Sequence, residues 1–168
     1  MRGGLLNRVK PVLHTRWPDS SNAGLASGRL GHGRCVGISL QGGQLAVDRF
    51  IAAPSETVWN LLVDLEAWPK WGATVTAARL DEGDVLTLGV TGLVWTPVGI
   101  PLPFTIDEFV PGRSWGWRVA GVPATRHGVD PEGDGCRVWM TGPLWAPAYV
   151  PVLALALARI DEMARDAN

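Results

Sequence analysis

Net charge, cysteine and unbroken apolar stretches are all scarce in this 168-residue chain. The formal charge is −1, from 15 basic and 16 acidic side chains. It is unevenly placed: residues 1–40 hold six basic groups and one acid, whereas residues 41–168 hold nine basic and fifteen acidic. A mildly acidic body cannot neutralise a run of phosphates, so nucleic acid is excluded as an expected partner. The two cysteines, Cys35 and Cys136, allow a single pairing, which is no disulfide framework. A reducing compartment follows. Leu5-Leu6 is too short for the apolar core of a signal peptide, and the cytoplasm is the expected location. The uncharged stretch Thr141 to Ala158 raises the question of a membrane span, but Pro143, Pro147 and Pro151 interrupt it. No transmembrane segment is expected. Lysine is rare as well: Arg outnumbers Lys 13 to 2, which reflects GC-rich coding and not a physical demand.

Cofactor motifs are also missing. Gly28, Gly31 and Gly33 look like part of a phosphate loop, yet their spacing is wrong and no strand precedes them. His32 and Cys35 have the spacing of one metal-ligand pair without a second. Neither cofactor nor metal is expected. Residues 1–43 are rich in Gly, Ser, Arg and Asn and show no sustained period of 2 or 3.6. They bury too little surface to offset the entropy of ordering, and are expected to form a disordered or loosely attached extension to a domain over 44–168.

That domain reads as strand, two short helices, six strands and a long helix. Gln44–Ala52 alternates weakly and stops at Pro54. Ser55 is placed to cap a helix whose stripe is Val58, Trp59, Leu61, Leu62 and Leu65, with Glu56 near the positive end of its dipole. Asp64 is placed to open a second helix that ends at Trp68-Pro69, because a residue before proline avoids the helical region. Strand-like runs follow at Thr74–Leu80, Val85–Thr91, Phe104–Val110, Ser114–Gly121, Ala124–Asp130 and Cys136–Thr141, separated by turn signals. Short connections predict antiparallel neighbours with one buried and one wet face. The final helix can start only near Tyr149, with Pro151 in its first turn. At 100° per residue, Tyr149, Val152, Leu153, Ala156, Ile160 and Met163 share a face opposite Arg159, Glu162, Arg165 and Asp166. A curved sheet wrapped on this helix satisfies the order, giving an α+β fold of about seven strands.

The phrases Val47 to Pro54, Val58-Trp59, Asp64, Trp68 to Trp71, Val110 to Trp117, His127 and Gly133 to Val138 stand in this order. Together they resemble the START/SRPBCC superfamily, the helix-grip fold of polyketide cyclases, lipid-transfer domains and birch-pollen-type proteins. The proline-rich stretch Gly92–Pro103 departs from that pattern and leaves its own pairing open. The superfamily includes enzymes, carriers and sensors, so the resemblance implies a fold and a cavity rather than one activity.

Candidate chemistry is sparse. Gly112, Ser114 and Gly116 match G-x-S-x-G, but Pro111 precedes them, a strand follows, and no histidine comes after His127. A hydrolase elbow is therefore excluded. Strand alternation sets Phe104 and Ile106, Trp115 and Trp117, and His127 on the presumed inner face, with Tyr149 and Leu153 facing them from the helix. These seven are the candidate ligand-binding residues, suited to a small hydrophobic or aromatic molecule. Glu108 falls on the same face by alternation, while Trp139 shares the outer face with Arg137. His127 is the single catalytic candidate, as an acid or base in a cyclisation, and equally reads as a hydrogen-bonded core histidine. Three functions remain open: a carrier or sensor of a hydrophobic ligand, an aromatase/cyclase-like enzyme, and a protein-interaction domain anchored by exposed tryptophans. Oligomeric state is not legible.

Overall fold

The computed structural model describes residues 36–41, 44–143 and 147–167, all of which fall in one unit, Arg34–Asn168. Strand β1 (Val36–Gln41) pairs with β2 (Gln44–Ile51). Helices α1 (Ser55–Val63) and α2 (Trp68–Trp71) then carry the chain across to β3 (Ala77–Leu80). From there β4 (Thr91–Trp95), β5 (Pro101–Val110), β6 (Ser114–Val119), β7 (Val122–Glu132) and β8 (Gly135–Pro143) return as an antiparallel meander. The sheet order is β1-β2-β8-β7-β6-β5-β4-β3, so the strand that opens the chain's return lies at the edge opposite β1. A 3-10 turn, Pro147–Tyr149, leads into α3 (Val150–Asp166), which packs on β2, β8, α1 and α2. This is the expected helix grip. No helix among the described residues is long and apolar enough to cross a membrane.

The core lies between the sheet's inner face and the helices. Val47, Ile51, Val129, Val138 and Met140 rise from the central strands to meet Leu153, Leu157 and Ile160 of α3. One charged pair joins this layer: Arg49 Nε on β2 donates to Asp161 Oδ2 on α3 at 2.9 Å, and both side chains are buried.

Several sequence expectations need correction. Val36–Gln41, expected within the loose extension, forms an edge strand in register with Gln44–Arg49. Val36, Ile38 and Leu40 do alternate with Gly37, Ser39 and Gln41, but the run is only six residues long at the end of a Gly- and Ser-rich segment. Ile38 and Leu40 remain exposed. The glycines 28–33, His32 and Cys35 lie outside the described residues. Val85–Thr91 is mostly loop: Gly89 adopts φ 85°, a left-handed turn, so the strand starts only at Thr91. The open pairing of Gly92–Pro103 is thereby settled as the β4–β5 hairpin, with Trp95 opposite Pro101. Ser55 is the first residue of α1 and makes no cap bond. Pro69 opens α2 instead of ending it, since a missing N–H costs nothing in a first turn. On α3 the buried stripe is Leu153, Ala156, Leu157, Ile160, Asp161 and Ala164, turned away from Met163 and toward Leu157. Leu157 is fully covered because α3 packs on α1 and α2 as well as on the sheet.

Candidate functional site: an aromatic cavity under the terminal helix

Two indoles missing from the seven candidates organise the site. The last carbonyls of a helix lack intrahelical donors. Here Leu62 O accepts from Trp68 Nε1 and Leu61 O from Trp71 Nε1, each at 3.0 Å. α2 is thus tethered to the C-terminal end of α1, and both rings are driven under the sheet. Trp68 stacks on Trp115 with centroids 5.1 Å apart and 9° between planes, and meets Trp117 edge-on at 5.3 Å. The only advance sign of this was the i, i+3 spacing of Trp68 and Trp71, which puts both on one side of a short helix.

His127 completes the cluster from β7. Its ring stacks on Trp115 at 4.1 Å and meets Trp71 edge-on at 5.7 Å. Nε2 lies 3.1 Å from Thr125 Oγ1, which also accepts from Trp117 Nε1 at 3.0 Å. Burial pushes the imidazole pKa down from 6.5 to about 3, so the ring is neutral at physiological pH. The hydroxyl hydrogen of Thr125 needs an acceptor, and His127 Nε2 supplies it. This assignment, made from the network, places the ring proton on Nδ1. Among the described residues, His127 Nδ1 and Trp115 Nε1 are buried without a partner.

Two cavities meet here. An inner chamber of about 40 Å³ is lined by Trp68, Trp71, Trp115, His127, Met140 and Leu153, among others. An outer cleft of about 450 Å³ is walled mainly by Val94, Leu102, Val119, Val122 and Pro123. Thr74, Val75, Trp117, Thr125 and Tyr149 line both. At that shared wall Thr74 Oγ1 and Tyr149 Oη are hydrogen-bonded at 2.7 Å. Among the described residues, no charged side chain lines either cavity.

Of the seven candidate residues, Trp115, Trp117, His127, Tyr149 and Leu153 come together around the inner chamber. Phe104 and Ile106 are buried behind it and line neither cavity. Glu108 departs from its expected face. The β5–β6 register slips between Ile106 and Glu108, and this bulge reverses the alternation. Phe109 then turns inward against Trp59, while Glu108 is exposed and paired with Arg126. Trp139 lies over Gly128 on the outer face and donates to Asp130 Oδ2 at 2.9 Å. Cys136 is buried, with its thiol pushed up to about 11 by burial and by Glu132, so it is inert as a nucleophile. No cluster of three or more metal-ligating side chains occurs among the described residues.

A curved antiparallel sheet gripping its terminal helix over an aromatic-walled cavity defines a helix-grip protein of the START/SRPBCC superfamily. Within it, the chain belongs to the family described as polyketide cyclase / dehydrase and lipid transport, whose model matches residues 43–165. Solved structures share the fold. A Nitrosomonas europaea protein is 18% identical with a TM-score of 0.58, the match covering 74% of this chain and 95% of that one. A Mycobacterium smegmatis protein is 18% identical with a TM-score of 0.55, covering 80% and 98%. A Mesorhizobium loti protein is 11% identical with a TM-score of 0.62, covering 74% and 98%. No curated protein matches the sequence.

Proposed function

We propose that this protein is a non-catalytic carrier or sensor of a small hydrophobic or aromatic molecule held between the sheet and α3. The observation that carries this reading is the outer cleft. Its volume of about 450 Å³ falls in the range that encloses drug-sized ligands, and its walls are apolar. The small inner chamber behind it adds a few polar atoms to an otherwise greasy site.

The cyclase reading has less support. A general base works best with a pKa near the operating pH, and His127 at about 3 is far below it. Its neighbours in the chamber are indoles, a thioether and hydroxyls, with no carboxylate among the described residues to raise its basicity. The interaction-domain reading needs exposed indole anchors, and each tryptophan among the described residues is buried or half-buried.

Native mass spectrometry of purified full-length protein tests the carrier reading, followed by titration with the uncharged fluorophore N-phenyl-1-naphthylamine. The expected result is a retained small molecule or saturable one-to-one binding with a blue-shifted emission. A protein that carries nothing and shows no saturable binding refutes it. Chemical conversion of the retained molecule would favour the cyclase.

A further inference from the structure

The ligand's chemistry can be narrowed from the hydrogen-bond ledger of the inner chamber, an inference that rests on the binding function proposed above. Trp117 Nε1–H donates to Thr125 Oγ1, and Thr125 O–H donates to His127 Nε2. That relay uses up the hydroxyl. The opposite tautomer leaves both the Thr125 hydrogen and the His127 Nδ1 lone pair without a partner, so it is disfavoured. Two donors then remain unanswered on rings that line one chamber: His127 Nδ1–H and Trp115 Nε1–H. His127 is 3% exposed and Trp115 1%, so bulk water does not satisfy them. A buried donor without an acceptor is costly, and the chamber's volume of about 40 Å³ is enough for one small polar group.

We propose that the inner chamber is a head-group subsite for a single uncharged carbonyl, whose oxygen accepts from His127 Nδ1–H and Trp115 Nε1–H while an apolar body fills the outer cleft. The residues common to both cavities, Thr74, Val75, Trp117, Thr125 and Tyr149, are where such a molecule passes from one to the other. A carboxylate head is disfavoured. Neither cavity is lined by a cation among the described residues, and a buried carboxylate without one bears its full desolvation cost. Hydrocarbons fit the cleft but leave both donors unmatched. A ketone or aldehyde on an aromatic or aliphatic body satisfies every term.

The test is calorimetric, on the full-length protein, with three probes of one skeleton: 2-ethylnaphthalene, 2-acetylnaphthalene and 2-naphthoate at neutral pH. The ketone should bind about tenfold tighter than the hydrocarbon, the scale of one to two net hydrogen bonds to neutral groups. Naphthoate should bind weakest. The ketone-to-hydrocarbon ratio should fall toward one in Trp115→Phe, which keeps an aromatic ring and deletes the N–H, and also in His127→Phe. Should His127→Phe fail to fold, the wild-type ratio and Trp115→Phe still decide. The carbonyl stretch of ¹³C-labelled 2-acetylnaphthalene should move to lower frequency on binding, and less so in Trp115→Phe. Equal binding of ketone and hydrocarbon, or tightest binding of naphthoate, overturns the carbonyl subsite and leaves the binding function intact. Failure of all three probes to bind overturns both.

Discussion

Acid should weaken this protein at a pH where carboxylates are still ionised, and His127 is the reason. The ring is buried between Trp115 and Trp71, and its pKa drops from 6.5 to about 3 through burial. In the unfolded chain it titrates near its ordinary value. Between those two pKa values the unfolded state holds one more proton than the native state, so stability rises with pH across that window. The contribution is complete above 6.5 and is lost progressively as pH falls toward about 3. Each pH unit is worth about 1.4 kcal/mol, so His127 alone should remove roughly 2 kcal/mol between its unfolded pKa and about pH 5. Glu132 is held low by hydrogen bonds from Arg137, and Asp161, despite its burial, by those from Arg165 and Arg49. Those carboxylates therefore act at more acid pH. Against the ring lie Trp71, Trp115, Trp117 and the Thr125 hydroxyl, and no charged group lines its chamber among the described residues. Urea unfolding of wild type and His127→Gln at a series of pH values measures the effect. His14 and His32 are common to both proteins and cancel in the difference. The wild type should lose roughly 2 kcal/mol more than the variant over that interval. Parallel pH profiles for the two proteins, or a ¹⁵N titration of the His127 imidazole itself near the ordinary histidine value, would refute the reasoning.

Three further outcomes are expected. Leu157→Ala should cost about 2–5 kcal/mol in chemical unfolding, because the side chain is fully buried. Leu155→Ala, at a position 44% exposed, should cost much less, and equal losses would mean α3 is covered on all sides. Asp161→Asn should cost about 3 kcal/mol by leaving the Arg49 guanidinium buried without its counter-charge. Arg165→Ala, which removes the solvent-facing partner of the same carboxylate, should cost less in the same assay. Gly128→Ala should destabilise by about 1–3 kcal/mol through overpacking, since a Cβ there would lie 2.2 Å from the Trp139 ring. Trp139→Phe in the same background should recover part of that loss.

Local pattern carried much of this protein. The order of strands and helices, the alternation of Ser114–Val119 and the start of the last helix with Pro151 in its first turn were legible because each depends on neighbours within a few residues. His127 and Trp115 shared a predicted face, and the fold sets their rings 4.1 Å apart. Parity counting then failed at one place. A bulge beside Asp107 inserts a residue, so Glu108 turns out to solvent and Phe109 turns in. Alternation records period but cannot register an extra residue, because the extra residue is defined by the partner strand. The bond from Arg49 to Asp161 was equally hidden, since it joins positions 112 residues apart and gives a charged residue a place on the buried stripe of α3. The chamber itself belongs to tertiary structure alone. It exists because the end of α1 takes two indole N–H groups from α2, which swings Trp68 and Trp71 beneath the sheet. Periodicity can say which side of an element is apolar; where three such sides stop short of filling the space between them is decided only when they pack.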